Sequence, residues 1–386
     1  MRLWYHAVRV NADRTHSPEL LAVLGRRYDE ALREHACPWA RPRGRSAAPA
    51  DPAAYARWRD SARAALRELT GLDRMAAELD GHTPVCELGD EEDLGEVTRR
   101  PGRIETEPGL WIPFWLLRPH GPGPFPVAIT PHGHGARGLD MYAGIVRDDA
   151  ERERMETEDR DVALEAARRG MLAIAPATRG FAPADIPDLA DRHGGRACRS
   201  QLMHALLAGR TAIAERVWDV QRLLDWALAR PDADGSASAP PSGRVLVTGN
   251  SGGGVVTLYA AALDERVTVA APSCSLAPIV SRGGYVHHCD CNAVPGILRW
   301  GEIWDLAALT APRALIAING RQDGLFPPAE VDRAVERIAA AYAGCGAPGA
   351  FEHRYGAAGH RFYGELMWPL IDRHIQAAEP TRERGS

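Results

Sequence analysis

The chain has 386 residues, 45% hydrophobic and 25% charged, with a formal net charge of −5. That length can bury a large core, as one α/β domain with extensions or as two domains. The acidic balance argues against nucleic acid or an anionic membrane as the main partner. All 46 basic Lys+Arg positions are arginine, which removes lysine from the possible bases and Schiff-base formers.

The seven cysteines, Cys37, Cys86, Cys198, Cys274, Cys289, Cys291 and Cys345, are odd in number and scattered. That is not a disulfide framework, and it suits a reducing compartment. The first residues lack an apolar core and a small-residue cleavage site. No apolar run approaches bilayer length. The expectation is a cytoplasmic protein that does not engage a membrane.

Residues 1–100 read as a helical N-terminal extension that packs on the main domain, edges the active site or makes an oligomer contact. Apolar residues recur at helical spacing over 18–36 (Leu20, Leu21, Val23, Leu24, Tyr28, Leu32) and over 52–75 (Tyr55, Trp58, Ala62, Leu66, Leu69). Pro18 and Pro52 suit first-turn positions, and Gly71 suits a helix stop. Residues 37–51, rich in Pro, Arg and Ala, read as a loop.

Residues 101–380 read as the catalytic domain. Strands are expected at 110–118, 126–130, 171–175, 245–248, 267–271, 314–319 and 351–355. Helices are expected at 161–169, 211–229, 255–263, 329–342 and 362–377. Short Val/Ile/Leu/Ala strands alternating with helices predict an α/β fold, a mostly parallel sheet covered on both faces. Residues 272–312 interrupt this rhythm and read as a lid or pocket-wall insertion.

Chemistry centres on residues 244–259, a strand, a very tight turn and a helix with Ser251 at the apex. Gly249-x-Ser251-x-Gly253 is the nucleophile-elbow pattern. Glycines two before and two after remove Cβ atoms that would collide in so sharp a turn. In such a sheet, ligands bind beyond the carboxyl ends of strands, so catalytic partners should follow strands. Asp323 follows 314–319, and His360 follows 351–355. Histidine titrates near neutrality and can take and return a serine proton, while a carboxylate fixes its tautomer. The order Ser251, Asp323, His360 is the one expected for this arrangement.

An oxyanion hole is expected from the Gly252 N–H and from the loop after residues 126–130, through the main-chain N–H groups of His134 and Gly135. His132, Arg179, Asn250, His287, His288, Trp300 and Trp304 are the candidate substrate contacts. Arg179 can equally brace a loop, and the two tryptophans can equally be core. Two clusters raise metal binding: His132 with His134, and His287-His-Cys-Asp-Cys291. Neither has the ligand number or spacing of a usual zinc pattern, so no metal is expected.

These residues resemble the α/β-hydrolase superfamily, and within it the acetyl xylan esterase-like and dienelactone hydrolase-like branch. The resemblance covers roughly residues 52–375. It rests on His132-Gly-His-Gly135, Arg179-Gly-Phe181, Arg216-Val-Trp-Asp219, Gly249-Asn-Ser-Gly-Gly-Gly254, His287-His-Cys289 with Cys291-Asn292, Ala311-Pro-Arg313, Asn319-Gly with Asp323 and Phe326-Pro327, and Gly359-His-Arg-Phe362. It implies Ser251 as nucleophile, His360 as base, Asp323 as orienting acid, and no cofactor. The expected function is a serine hydrolase cleaving a small-molecule ester, with a small acyl group such as acetyl on a sugar or secondary metabolite. Acyl transfer, lactone opening or elimination at the same triad is the alternative, and a silent binding protein a weaker one.

Overall fold

The fold centres on one sheet in which the strand Val127–Ile129 lies between Leu172–Pro176 and Val245–Asn250. The computed structural model describes residues 23, 26–27, 33–40, 50–135, 137–181, 196–234, 243–281 and 284–377. Most of the expected helix over residues 18–36 and most of the loop at 37–51 therefore fall outside the described residues; residues 23 and 26–27 are helical, and residues 33–36 form a turn where helix was expected. No described helix is long and apolar enough to cross a membrane.

The sheet comprises β1 (Cys86–Leu88), β2 (Glu92–Asp93), β3 (Val97–Glu107), β4 (Leu110–Pro119), β5 (Val127–Ile129), β6 (Leu172–Pro176), β7 (Val245–Asn250), β8 (Val269–Ser273), β9 (Ala314–Gly320) and β10 (Phe351–Gly356). Their spatial order is β1-β3-β4-β6-β5-β7-β8-β9-β10, with β2 beside β3. From β6 to β10 every pairing is parallel. The strands β5, β6, β8 and β9 are buried at every residue, as helices on both faces require of apolar runs such as Leu172-Ala-Ile-Ala-Pro176. At the other edge, β1 to β4 are antiparallel, and β4 joins β6 antiparallel.

This edge departs from the expected layout. β1, β2 and the start of β3 lie before residue 100, so residues 86–100 belong to the sheet and not to a helical extension. Their strands are short or half-exposed and carry charge, which hides period-two alternation in the sequence.

The N-terminal helical signal at 52–75 resolves into two helices, Pro52–Thr70 and Leu72–Glu78. Gly71, at φ 84°, ends one and starts the next. Asp51 caps the first by accepting the Ala54 N–H at 2.9 Å. Its buried face docks on helices that cover the sheet. Tyr55 donates to the Ala308 carbonyl at 2.8 Å, and Arg63 Nε donates to Ala262 O at 2.9 Å.

The stretch after β8 is less a flap than a wall. Its second half contains helices Ile297–Trp300 and Ile303–Ala308, whose apolar residues join the main core. Trp300 and Trp304 are buried there, at 4% and 1% exposure, and Trp300 Nε1 donates to Ala62 O at 2.9 Å. Both are core residues, so the expectation that they contact substrate is corrected.

Candidate active site

β5 pairs with β6 on one side and β7 on the other, which makes its carboxyl end the switch point beyond which such sheets bind their ligands. The loop after β5 and the elbow after β7 meet there. Ser251 stands between β7 and helix Gly252–Leu263 with φ 59° and ψ −120°, a conformation costly for a side-chain-bearing residue, on the order of 1–3 kcal/mol. The surroundings hold it there. Its N–H donates to Ser273 O at 2.9 Å at the end of β8. A Cβ on Gly249 or Gly253 would stand 2.2 or 1.9 Å from the Pro131 carbonyl oxygen. Both glycines are therefore required by one close backbone approach, that of the loop after β5.

That loop runs directly over the elbow. A Cβ on Gly133 would lie 2.7 Å from Asn250 O and 3.2 Å from Ser251 Cβ. His132 is 1% exposed and fully engaged: Nδ1 lies 2.7 Å from Gly133 O, and Nε2 accepts the Thr178 N–H at 3.1 Å. Burial pushes its imidazole down to about 4, so it is neutral near physiological pH. It pins the loop to the residues after β6 and offers no face to a ligand, which corrects its place among the substrate contacts. His134 stacks on Phe181 with ring centroids 4.0 Å apart, and Phe181 covers Gly252.

Arg179 is likewise withdrawn from substrate. Its guanidinium is 8% exposed and grips Asp219 through Nε at 2.8 Å and Nη2 at 2.6 Å. Nη1 reaches Glu107 at 2.6 Å, and Nη2 reaches Thr106 Oγ1 at 3.2 Å. Of the two sequence readings, bracing a loop is the one this geometry supports.

Asp323 and His360 come together as their strand positions require. His360 Nδ1 lies 2.7 Å from Asp323 Oδ2, and Asp323 Oδ1 accepts the Leu325 N–H at 2.9 Å. The carboxylate side chain is fully buried beneath the imidazole. The loops after β9 and β10 are clasped by Arg321 N to Gly356 O at 2.9 Å and Gln322 N to Ala358 O at 3.0 Å. His360 Nε2 is buried and makes no hydrogen bond among the described residues. The loop is fixed to β8 as well: Ser273 Oγ donates to Arg361 O at 3.0 Å, and the Cys274 thiol to the same carbonyl at 3.3 Å.

Phe326 lies beside His360, centroids 5.6 Å apart, and bridges to His288 at 5.3 Å and His287 at 6.5 Å. His287 and His288 thus share an aromatic cluster with His360. His288 Nε2 faces Ala277 O at 2.9 Å, and burial lowers its imidazole to about 4. Asn250 Oδ1 is buried without a partner among the described residues, while the Asn250 backbone N–H meets the Tyr142 hydroxyl at 3.1 Å. Tyr285, Val286 and Leu325 add exposed apolar surface on the same side, at 50%, 60% and 53% exposure.

Similarity to known proteins agrees with this architecture. The chain has the α/β-hydrolase fold. It superposes on the methylesterase BT1017 with a TM-score of 0.62 at 23% identity, covering 84% of this chain and 64% of that one. A glucuronoyl esterase from Solibacter usitatus gives 0.62 at 16% identity, covering 90% and 99%. A Bacteroides fragilis protein described as a putative acetyl xylan esterase gives 0.61 at 16% identity, covering 90% and 83%. In sequence, 252 residues are 25% identical to the Bacillus subtilis protein named "Putative hydrolase YtaP", covering 64% of this chain and 77% of that one. The chain thus spans less than two thirds of the methylesterase. No protein-family model matches it.

Proposed function

We propose that the chain is a serine hydrolase acting on carboxylic esters, with Ser251, His360 and Asp323 as its triad. The observation that carries the reading is the His360–Asp323 bond of 2.7 Å after two adjacent strands, with Ser251 held at positive φ and tied through Ser273 to the loop that bears His360. The solved structures it resembles include esterases named for methyl, acetyl xylan and glucuronoyl esters, which favours an ester of a carbohydrate as substrate.

Ser251 Oγ attacks the ester carbonyl while His360 Nε2 takes its proton, leaving imidazolium beside the buried Asp323 carboxylate. Asp323 is positioned to hold Nδ1–H and to balance that charge. Oxyanion stabilisation is assigned to the backbone N–H groups of Gly252 and of the loop residues His134 and Gly135. Gly252 opens its helix, so its N–H has no intrahelical acceptor. His360 then protonates the departing alcohol, and water attacks the acyl-enzyme with His360 again as base.

Ser251→Ala is expected to lower turnover of p-nitrophenyl acetate by up to ~10⁶-fold with the fold intact. A fluorophosphonate probe is expected to label the parent protein at Ser251. Undiminished turnover in Ser251→Ala, or no labelling of the parent, overturns the reading.

A further inference from the structure

The structure assembles a second cluster of soft donors that the local sequence pattern does not announce. Cys289 and Cys291 flank the first residue of a single 3-10 turn, Asp290–Asn292, with Cys289 at its cap. Cys198 arrives from the first turn of helix Ala197–Leu207, 91 residues before Cys289 in sequence, and packs with Cys291, Cys289 and Phe181. His134 arrives from the loop after β5, with Nε2 at 3.4 Å from Cys291 Sγ. One ligand atom from each of the four residues lies within 4.8 Å of the other three.

Three thiols and an imidazole are the donor set of a closed, tetrahedral zinc site. With Zn–S bonds of about 2.3 Å, a tetrahedron needs ligand atoms roughly 3.8 Å apart, so only side-chain adjustments of about an ångström separate this cluster from one. In sequence the run His287-His-Cys-Asp-Cys291 is too tightly spaced for a usual zinc pattern, whereas the fold brings Cys198 and His134 to Cys289 and Cys291.

An independent observation points to negative charge at the cluster. Arg216 is 1% exposed, and its partners among the described residues are all formally neutral. They are Arg179 O, Gln201 Oε1, Asn292 Oδ1, Cys291 O, the Phe181 ring face at 4.1 Å and Cys291 Sγ, the last at 3.6 Å from Nη1. A buried guanidinium without a counter-anion is costly. Thiolates on a metal supply that anion, and an N–H directed at a metal-bound sulfur is the usual outer-sphere contact.

We propose that Cys198, Cys289, Cys291 and His134 bind one thiophilic divalent cation, Zn²⁺ in the first instance. Binding releases three thiol protons to solvent and leaves a site of net charge −1 that Arg216 neutralises. The ion ties helix Ala197–Leu207, the 290–292 turn and the loop over the elbow into one piece. It sits on His134 Nε2, while the Nδ1 side of that ring faces Gly252, where an added Cβ would lie 3.3 Å from Nδ1. Metal on Nε2 therefore fixes the proton on Nδ1 and the ring against the elbow. The proposal does not rest on Ser251 acting as a nucleophile.

The test uses the full chain, prepared under reducing conditions, loaded with Zn²⁺ and exchanged into metal-free buffer. The expected result is one zinc retained per chain by elemental mass spectrometry. The Co²⁺ form is expected to show thiolate-to-cobalt charge transfer and the visible bands of a tetrahedral ion. Cys198→Ser and Cys291→Ser should lose the ion, and Cys345→Ser, a thiol outside the cluster, should keep it. Should the variants fail to fold, capping the thiols of the parent chain with a mercurial is still expected to release zinc to a chromogenic chelator. No retained zinc in the loaded parent, zinc retained in both cluster variants, or a disulfide among these three cysteines in freshly prepared protein overturns the proposal. Fluorophosphonate labelling measured on the same samples reports Ser251 separately.

Discussion

His132 should make this fold acid-sensitive, and the size of the effect follows from its burial. In the folded chain its imidazole is pushed from 6.5 down to about 4, because burial strips water from the charged form and the Gly133 carbonyl and Asp140 offset only part of that loss. Protonation would also turn Nε2 from an acceptor into a donor facing the Thr178 N–H. A histidine lowered in the fold leaves stability intact above its unfolded value of 6.5. Stability is then lost as pH falls, until the folded value near 4 is reached. A gap of two to three pH units corresponds to roughly 3 kcal/mol. His132→Gln keeps an acceptor where Nε2 stands and cannot titrate. Near neutral pH it should cost about 1 kcal/mol, because the shorter amide forgoes the hydrogen bond that Nδ1 makes to Gly133 O. Urea unfolding of both proteins, followed by tryptophan fluorescence at steps from neutral pH to about 4, gives the difference curve. Other titrating groups, such as Asp161 and Glu302, whose carboxyls burial raises to about 6 and about 7, cancel in that difference. The variant should lose about 3 kcal/mol less than the parent over this range. Parallel curves would refute the linkage and the neutral, locked His132 behind it.

Two further substitutions probe the frame around the site. Gly253→Ala places a methyl 1.9 Å from the rigid Pro131 carbonyl, so the elbow must move. Fluorophosphonate labelling should fall by at least tenfold, with a stability loss of about 1–3 kcal/mol by urea titration, and normal labelling would count against the fit described. Arg179→Met strands the buried Asp219 without its cation, while Glu107 keeps Arg210. It should cost roughly 3–5 kcal/mol in a urea titration, whereas a change confined to KM would restore Arg179 to the substrate.

What the sequence disclosed is what local patterns can carry. The parallel strands announce themselves as short apolar runs, and each candidate triad residue sits just after one of them. The elbow is legible because steric demand writes glycine at fixed offsets from Ser251. Partners that are distant in sequence are not legible. Arg179 reads as a site residue until Thr106, Glu107 and Asp219 close around it. Trp300 and Trp304 lie at helical spacing that suits a pocket wall and a core equally, and only their packing under Pro52–Thr70 and its neighbours decides. Cys198 carries no signal of its own, since a lone cysteine on a helix acquires meaning only from what folds against it. Of the antiparallel edge only β4 is legible, because β1 to β3 are short or expose charged residues where alternation would otherwise show.

Ser273 has a consequence for how far this enzyme architecture can vary. The serine at the elbow hangs from its carbonyl, and the loop bearing the histidine hangs from its hydroxyl. The two groups are thus set against a common datum. Errors do not accumulate through the register of β7 on β8 and of β10 on β9. Insertions elsewhere in the connection from β9 to β10 can alter the outer surface while the working separation at the centre stays gauged by one residue.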